Sequence, residues 1–163
     1  MAKETKTNAM RLLDSKKLPY QEHDYRATDA LSGTEVAAAL HQDPAQVFKT
    51  LVTVARSGSH YVFLVPVAEE LDLKKAAAAV GEKSIAMLKA KELLPLTGYI
   101  HGGCSPIGMK KLFPTTIHLS AQDFATILFS GGRIGCQIEM TLDDLKKIVP
   151  FQLKDIIAAT SSR

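Results

Sequence analysis

Val47-Phe48-Lys49-Thr50-Leu51-Val52-Thr53-Val54-Ala55 and Tyr61-Val62-Phe63-Leu64-Val65-Pro66-Val67, separated by Arg56-Ser57-Gly58-Ser59-His60, decide the fold class of this chain. Two β-branched and aromatic runs joined by a short turn bearing Gly and Ser read as a hairpin in the middle of a sheet. A parallel crossover needs a dozen or more residues, so this connection excludes an all-parallel doubly wound design. Helical patterns flank the hairpin on both sides. The expected class is therefore α/β or α+β, a mixed sheet with helices packed outside it.

Upstream, Asn8 to Lys17 has the spacing of an amphipathic helix with Met10 and Leu13 turned inward, stopped by Pro19 before a short strand from Tyr20 to Tyr25. Ser32-Gly33-Thr34-Glu35 has the spacing of a capping box and predicts a helix through Leu40, with Val36 and Leu40 on its buried face. Downstream, Asp72 is a candidate N-cap for an alanine-rich helix from Leu73 to Val80, ended by Gly81. Its small side chains let it lie close to a sheet. A second short helix is expected over Lys89 to Leu94, and strands over Thr115 to Leu119, Ala125 to Phe129 and Cys136 to Met140. Thr141-Leu142-Asp143-Asp144 caps a last helix with Leu142, Leu145, Ile148 and Val149 on one face, and Pro150 ends it.

The 163 residues, 46% of them hydrophobic, fit one domain spanning 1–163 with a core of its own. No linker, low-complexity tract or repeat interrupts them. No stretch reaches the roughly 18 to 20 apolar residues of a membrane span, and Met1-Ala2-Lys3-Glu4-Thr5-Lys6 lacks the apolar centre of a signal peptide. A cytoplasmic protein with no membrane partner is expected. Cys104 and Cys136 are then expected to be free thiols. A net charge of +3 is compatible with a nucleic-acid partner but is far from a dense basic footprint, and no DNA partner is expected. Lys74-Lys75, Lys110-Lys111 and Lys146-Lys147 read as solvated faces and turns, with Lys110-Lys111 also placed to reach the rim of the loop that precedes it.

That loop, Gly98-Tyr99-Ile100-His101-Gly102-Gly103-Cys104-Ser105-Pro106-Ile107-Gly108, carries four glycines and one proline in eleven residues. Glycines lack Cβ, so backbone N–H groups there can converge on a carbonyl or phosphate oxygen and stabilise charge that develops on it. Pro106 would hold the loop's shape while Ser105 offers a hydroxyl. The plain alternative is an ordinary turn between helix and sheet. A second cluster, Ser130-Gly131-Gly132-Arg133-Ile134-Gly135, follows an apolar strand and would let the Ser130 hydroxyl emerge at the sheet's end. Lys49 shares a strand face with Val47 and Leu51, so it lies either on a solvated face or in a cleft with an anionic partner. Cys104 could act as a thiol nucleophile with His101 or His118 as base, but nothing in the sequence selects a base or a third orienting group. A small buried role is the simpler reading. No His, Cys or carboxylate pair has metal-ligand spacing, so neither metal nor cofactor is expected.

The early strand lysine Lys49, the Gly-Gly-Cys-Ser-Pro-Ile-Gly loop and the late Ser-Gly-Gly-x-x-Gly turn, in that order, resemble the YbaK/EbsC family of aminoacyl-tRNA editing proteins. The resemblance runs from Asn8 to about Val149. It implies a strongly curved, barrel-like mixed sheet ringed by helices. It further implies a deacylase whose catalytic set is Lys49, Gly102, Gly103, Ser105 and Pro106. Tyr25, Ser130, Gly131, Gly132 and Gln137 would contact substrate. Gln137 stands where some members carry aspartate, and a glutamine can orient a group but cannot carry a proton as a carboxylate does. The implied substrate is tRNA(Pro) mischarged with cysteine, whose own thiol attacks the ester. The implied companion is prolyl-tRNA synthetase. A sibling deacylase for alanyl-tRNA(Pro) and a non-catalytic RNA-binding or regulatory module are the other readings; aromatic residues are only 6% and scattered, which disfavours a stacking platform for RNA.

Overall fold

The computed structural model describes residues 6–30 and 32–159. The opening segment weighed as a signal lies outside them, apart from Lys6. The first helix, α1 (Asn8–Ser15), starts where the Thr7 side chain accepts a hydrogen bond from the Met10 amide, and it buries Ala9, Met10 and Leu13. After β1 (Gln21–Asp24) comes α2 (Gly33–Ala39), opened by the full capping box: the Ser32 hydroxyl accepts from the Glu35 amide, and the Glu35 carboxylate accepts from the Ser32 amide.

The hairpin consists of β2 (Phe48–Ala55) and β3 (His60–Pro66), antiparallel in a register that pairs Lys49 with Val65 and Val52 with Val62. Gly58 takes φ +95° in its turn, a conformation natural only to glycine. Next, α3 (Leu73–Val80) is capped by Asp72, whose carboxylate accepts from the amides of Lys74 and Lys75, and is closed by Gly81 at φ +73°. Its Ala76 and Ala77 lie against Ala55, Phe63, Val65 and Ile85 on one face of the sheet. β4 (Ile85–Met87) and α4 (Ala90–Thr97) follow. Then come β5 (Thr115–His118), a 3-10 turn (Leu119–Asp123), β6 (Ile127–Ser130) and β7 (Cys136–Met140). The chain closes with α5 (Leu142–Lys146) and β8 (Phe151–Lys154).

These strands form two sheets. Five strands lie in the order β4-β2-β3-β5-β8, with β4, β2 and β3 antiparallel and β3, β5 and β8 parallel; three antiparallel strands lie in the order β1-β7-β6. The larger sheet is therefore mixed, as expected, its parallel half supplied by β5 and β8 beyond the hairpin. The main core fills the space between the sheets and α1, centred on Phe48, Leu64, Ile117, Ile127, Phe129 and Ile138.

The barrel implied by the resemblance is not formed. β4 and β8 are open edges of the larger sheet and β1 and β6 are edges of the smaller. Among the described residues one parallel bridge, Val47 to Leu128, joins the two. Upstream, the Gln46 amide donates to the Asp43 carbonyl at 2.9 Å and so does not extend the bridge. The Gln46 side chain is also committed to Thr126, its Nε2 donating to the carbonyl and hydroxyl oxygens at 2.8 and 3.2 Å. Two further strands, β4 and β8, stand where the sequence marked none. α4 runs three residues beyond the expected Leu94 and contains Pro95, while α5 ends at Lys146, ahead of Pro150.

Candidate functional site

The sheets' shared end opens into a cleft of about 600 Å³ at the start of β2. Tyr25, Lys49, Gly102, Ser130 and Gln137 line it, which brings together residues from five separate parts of the chain. Apolar walls come from Phe48, Leu88, Leu93 and Phe129, and Met87 and His101 also reach it. Gly103, Ser105, Pro106, Gly131 and Gly132 do not line it.

Lys49 is the second residue of β2, its side chain 30% exposed and its Nζ 3.8 Å from a carboxylate oxygen of Glu70. Of the two placements open to this lysine, the cleft with an anionic neighbour is the one found. Glu70 itself is 84% exposed, so the pair is weak and easily exchanged for an incoming anion.

The two glycine clusters shape the cleft, Gly102 from its wall and the others from behind it. Gly102 takes φ +88° and, having no side chain, presents only backbone to the cleft. Gly103 lies so close to the second glycine cluster that a Cβ would sit 2.9 Å from Arg133 Cα and 3.0 Å from the Ile134 nitrogen. Its amide donates to the Ile100 carbonyl, which closes the turn and removes that N–H as a ligand for substrate. Gly131 likewise gives its amide to the Cys136 carbonyl, and Gly132 gives its own to the Ser130 hydroxyl at 3.2 Å. Ser105 is fully buried, its hydroxyl accepting from the Ile107 amide. The hydroxyl expected to face a ligand is turned into its own loop. Pro106 borders a second, smaller cavity of about 220 Å³ behind the loop, together with Lys111 and Leu112. Lys110 reaches back to the Pro95 carbonyl, away from the cleft.

Cys104 lines the cleft yet is only 7% exposed, and burial pushes its thiol up to about 12. At neutral pH it is protonated and is not a nucleophile of the papain kind. Cys136 is also free and buried, and burial pushes it up to about 12, with Glu22 adding to the effect. His118, the other base considered for Cys104, lies elsewhere: its Nδ1 accepts from the Ile156 amide and stands 3.9 Å from Asp155.

Gln137 is 4% exposed, opposite Ser130 on β6 and His23 on β1. Its Oε1 accepts a 2.8 Å hydrogen bond from Nε2 of Gln42. Sequence reasoning missed Gln42, which lies 95 residues away and carries no motif. Thr50, beside Lys49, lines the cleft with a buried hydroxyl that has no protein partner among the described residues. Among those residues no group of three His, Cys, Asp or Glu could hold a metal ion, and no helix is long and apolar enough to cross a membrane.

A family profile described as the aminoacyl-tRNA editing domain matches residues 28–148, a span that contains Lys49, both glycine clusters and Gln137. A curated protein of Enterococcus faecalis, EbsC, described by its name as a Cys-tRNA(Pro)/Cys-tRNA(Cys) deacylase, is 44% identical over 152 residues, covering 93% of each chain. Among solved structures, one described as a trans-editing enzyme for prolyl tRNA synthetase superposes with a TM-score of 0.83 at 24% identity, over 96% of this chain and all of that one. A hypothetical protein superposes with a TM-score of 0.81 at 19% identity, over 93% and 99% of the two chains. At these identities the structural likeness establishes the fold.

Proposed function

The chain belongs to the aminoacyl-tRNA editing domain family, and on that premise we propose that it deacylates tRNA(Pro) mischarged with cysteine. The observation that carries the reading is the cleft itself. It sets one cation, Lys49, and a backbone-only wall at Gly102 beside two neutral hydrogen-bonding side chains, Ser130 and Gln137. Among the described residues it brings no nucleophile and base into hydrogen-bonding contact.

An aminoacyl ester needs little general-base strength to break when its carbonyl is polarised and its ends are held. In this reading Lys49 exchanges Glu70 for the terminal phosphate or ribose of the tRNA, and the Gly102 backbone faces the ester carbonyl. Tyr25 and Ser130 border the aminoacyl group. The family resemblance implies that the attacking sulfur is the substrate's own, a step that does not call on the buried, protonated Cys104 thiol. The substrate's sulfur bonds to the carbonyl carbon, the carbon–oxygen ester bond breaks, and the thiol proton goes to the departing ribose oxygen. Water then opens the cyclic thioester to free cysteine. The cysteine side chain thereby selects the substrate and removes it. For a small protein of net charge +3, a ternary complex with prolyl-tRNA synthetase would supply selection of the tRNA.

Purified protein mixed with cysteinyl-, alanyl-, seryl- and prolyl-tRNA(Pro) and with cysteinyl-tRNA(Cys) tests the reading. Rapid, Lys49-dependent loss of the cysteinyl ester is expected, with seryl-tRNA(Pro), which lacks the sulfur, left intact. Preference for the alanyl ester would assign a sibling activity, and equal loss of the seryl ester would remove the substrate thiol from the reaction.

A further inference from the structure

We propose that Gln42 is a positioning residue that fixes which end of the Gln137 amide faces the cleft, and so makes this wall a neutral N–H donor. The inference rests on the deacylase reading for its ligand and on geometry alone for the amide pair. Gln42 sits just past the Leu40 C-cap of α2, where the chain turns back on itself: His41 takes φ +57°, the His41 amide donates to the Ala38 carbonyl and the Gln42 amide to the Ala37 carbonyl at 2.8 Å. This helix-ending motif anchors the Gln42 backbone. Its side chain then reaches Gln137, with Nε2 donating to Oε1 at 2.8 Å.

The orientation is decided at the far end of Gln42. Its Oε1 is buried and has no hydrogen-bond partner among the described residues. Turning both amides over would bury an NH2 with two unsatisfied donors in that spot. A carbonyl oxygen left short of a partner is tolerated more readily than orphaned N–H groups. Gln42 is thus held as donor toward Gln137, Gln137 must offer its oxygen to Gln42, and the Gln137 NH2 is the end left for the cleft that Gln137 lines.

An NH2 at this position pairs with an acceptor of the aminoacyl group, a carbonyl oxygen or a sulfur, and not with the α-ammonium, which is donor only. The specificity follows from polarity. An aspartate or glutamate here would instead attract the ammonium.

The test uses the full chain, 15N-labelled, and 3′-cysteinylamino-3′-deoxyadenosine, in which a stable amide replaces the ester. In the wild type the Gln137 side-chain NH2 resonances, assigned by their loss in Gln137→Glu, should move on titration with this probe. Gln42→Leu should shift those resonances in the free protein and weaken probe binding about tenfold, as expected for one lost hydrogen bond in a buried site. Gln42→Glu accepts where Gln42 donated, so it should turn the Gln137 amide and weaken the probe more than Gln42→Leu does. A merely structural residue would not distinguish these two variants once both are shown to keep the wild-type backbone spectrum. Unchanged Gln137 resonances in Gln42→Leu, or equal probe affinity in all three proteins, would overturn the proposal. A wild type that neither binds the probe nor cleaves cysteinyl-tRNA(Pro) would overturn the deacylase reading and the ligand half of this one, while the resonance shift would still decide the amide geometry.

Discussion

The Tyr99 hydroxyl donates to the Ile107 carbonyl across 2.5 Å, so the two ends of the glycine loop are clasped from within the core. Tyr99 is 6% exposed and burial pushes its phenol up to about 12, which keeps the donor proton in place at any physiological pH. Tyr99→Phe leaves a buried carbonyl short of a partner. It should lower stability by about 1–3 kcal/mol in denaturant titrations and loosen the Gly102 wall, so that deacylation falls more than the folded fraction does. An unchanged midpoint with unchanged activity would mean that the loop holds its shape without the clasp.

Gly103 offers a harder test of the same wall. An alanine methyl there would meet the backbone of Arg133 and Ile134, neither of which is the free end of a side chain. Gly103→Ala should therefore force the two glycine clusters apart, abolish deacylation and lower Tm by several degrees. Gly58→Ala, whose Cβ would meet nothing within 4 Å, carries only the cost of its left-handed φ and should keep activity. Parallel activity losses in both would show that the loss is general and not a matter of the clusters' contact.

Lys49→Ala should cut the rate constant for the cysteinyl ester by about tenfold to a hundredfold, the range expected for one charge-assisted contact to substrate. Its partner Glu70 is exposed, so stability should hardly change. Glu70→Gln removes the carboxylate that competes with the tRNA terminus for Lys49 and should lower KM with kcat little changed. A rise in KM would mean that Glu70 orients the lysine for substrate.

The elements that local chemistry sets were legible in the chain. The capping box at Ser32 and Glu35, the Asp72 cap with Gly81, and the hairpin turn at Gly58 each depend on residues within a few positions of one another. β4 and β8 were not legible, since Ile85–Met87 and Phe151–Lys154 are short and owe their extended form to β2 and β5. The missing barrel has the same origin: whether the two sheets join by one bridge or by a ladder is set where Val47 and Leu128, distant in the chain, meet in the fold. Of the residues that line the cleft, Lys49, Gly102 and Ser130 were marked by motif order, and Tyr25 and Gln137 by the family resemblance alone. The inward turn of Ser105 and the reach of Gln42 could not, because both are set by packing across the chain.

The two buried cysteines make the last prediction, one of pH dependence. Each has a folded-state pKa of about 12 against an ordinary value of 9.0, chiefly through burial. Between these values the unfolded chain has released the thiol protons while the native chain keeps them, so the unfolded state binds fewer protons and stability must fall as pH rises. Below pH 9 both states are protonated and the thiols add no slope. Urea midpoints should thus decline from about pH 9 upward, and Cys104→Ala should flatten the decline, its small volume loss lowering the whole curve alike. At pH 7.5 the native protein should resist alkylation by iodoacetamide for as long as it stays folded, and Cys104→Ala should still deacylate cysteinyl-tRNA(Pro). Rapid alkylation of Cys104 in the native state, accompanied by loss of the activity that the alanine variant also lacks, would return this thiol to the reaction as its nucleophile.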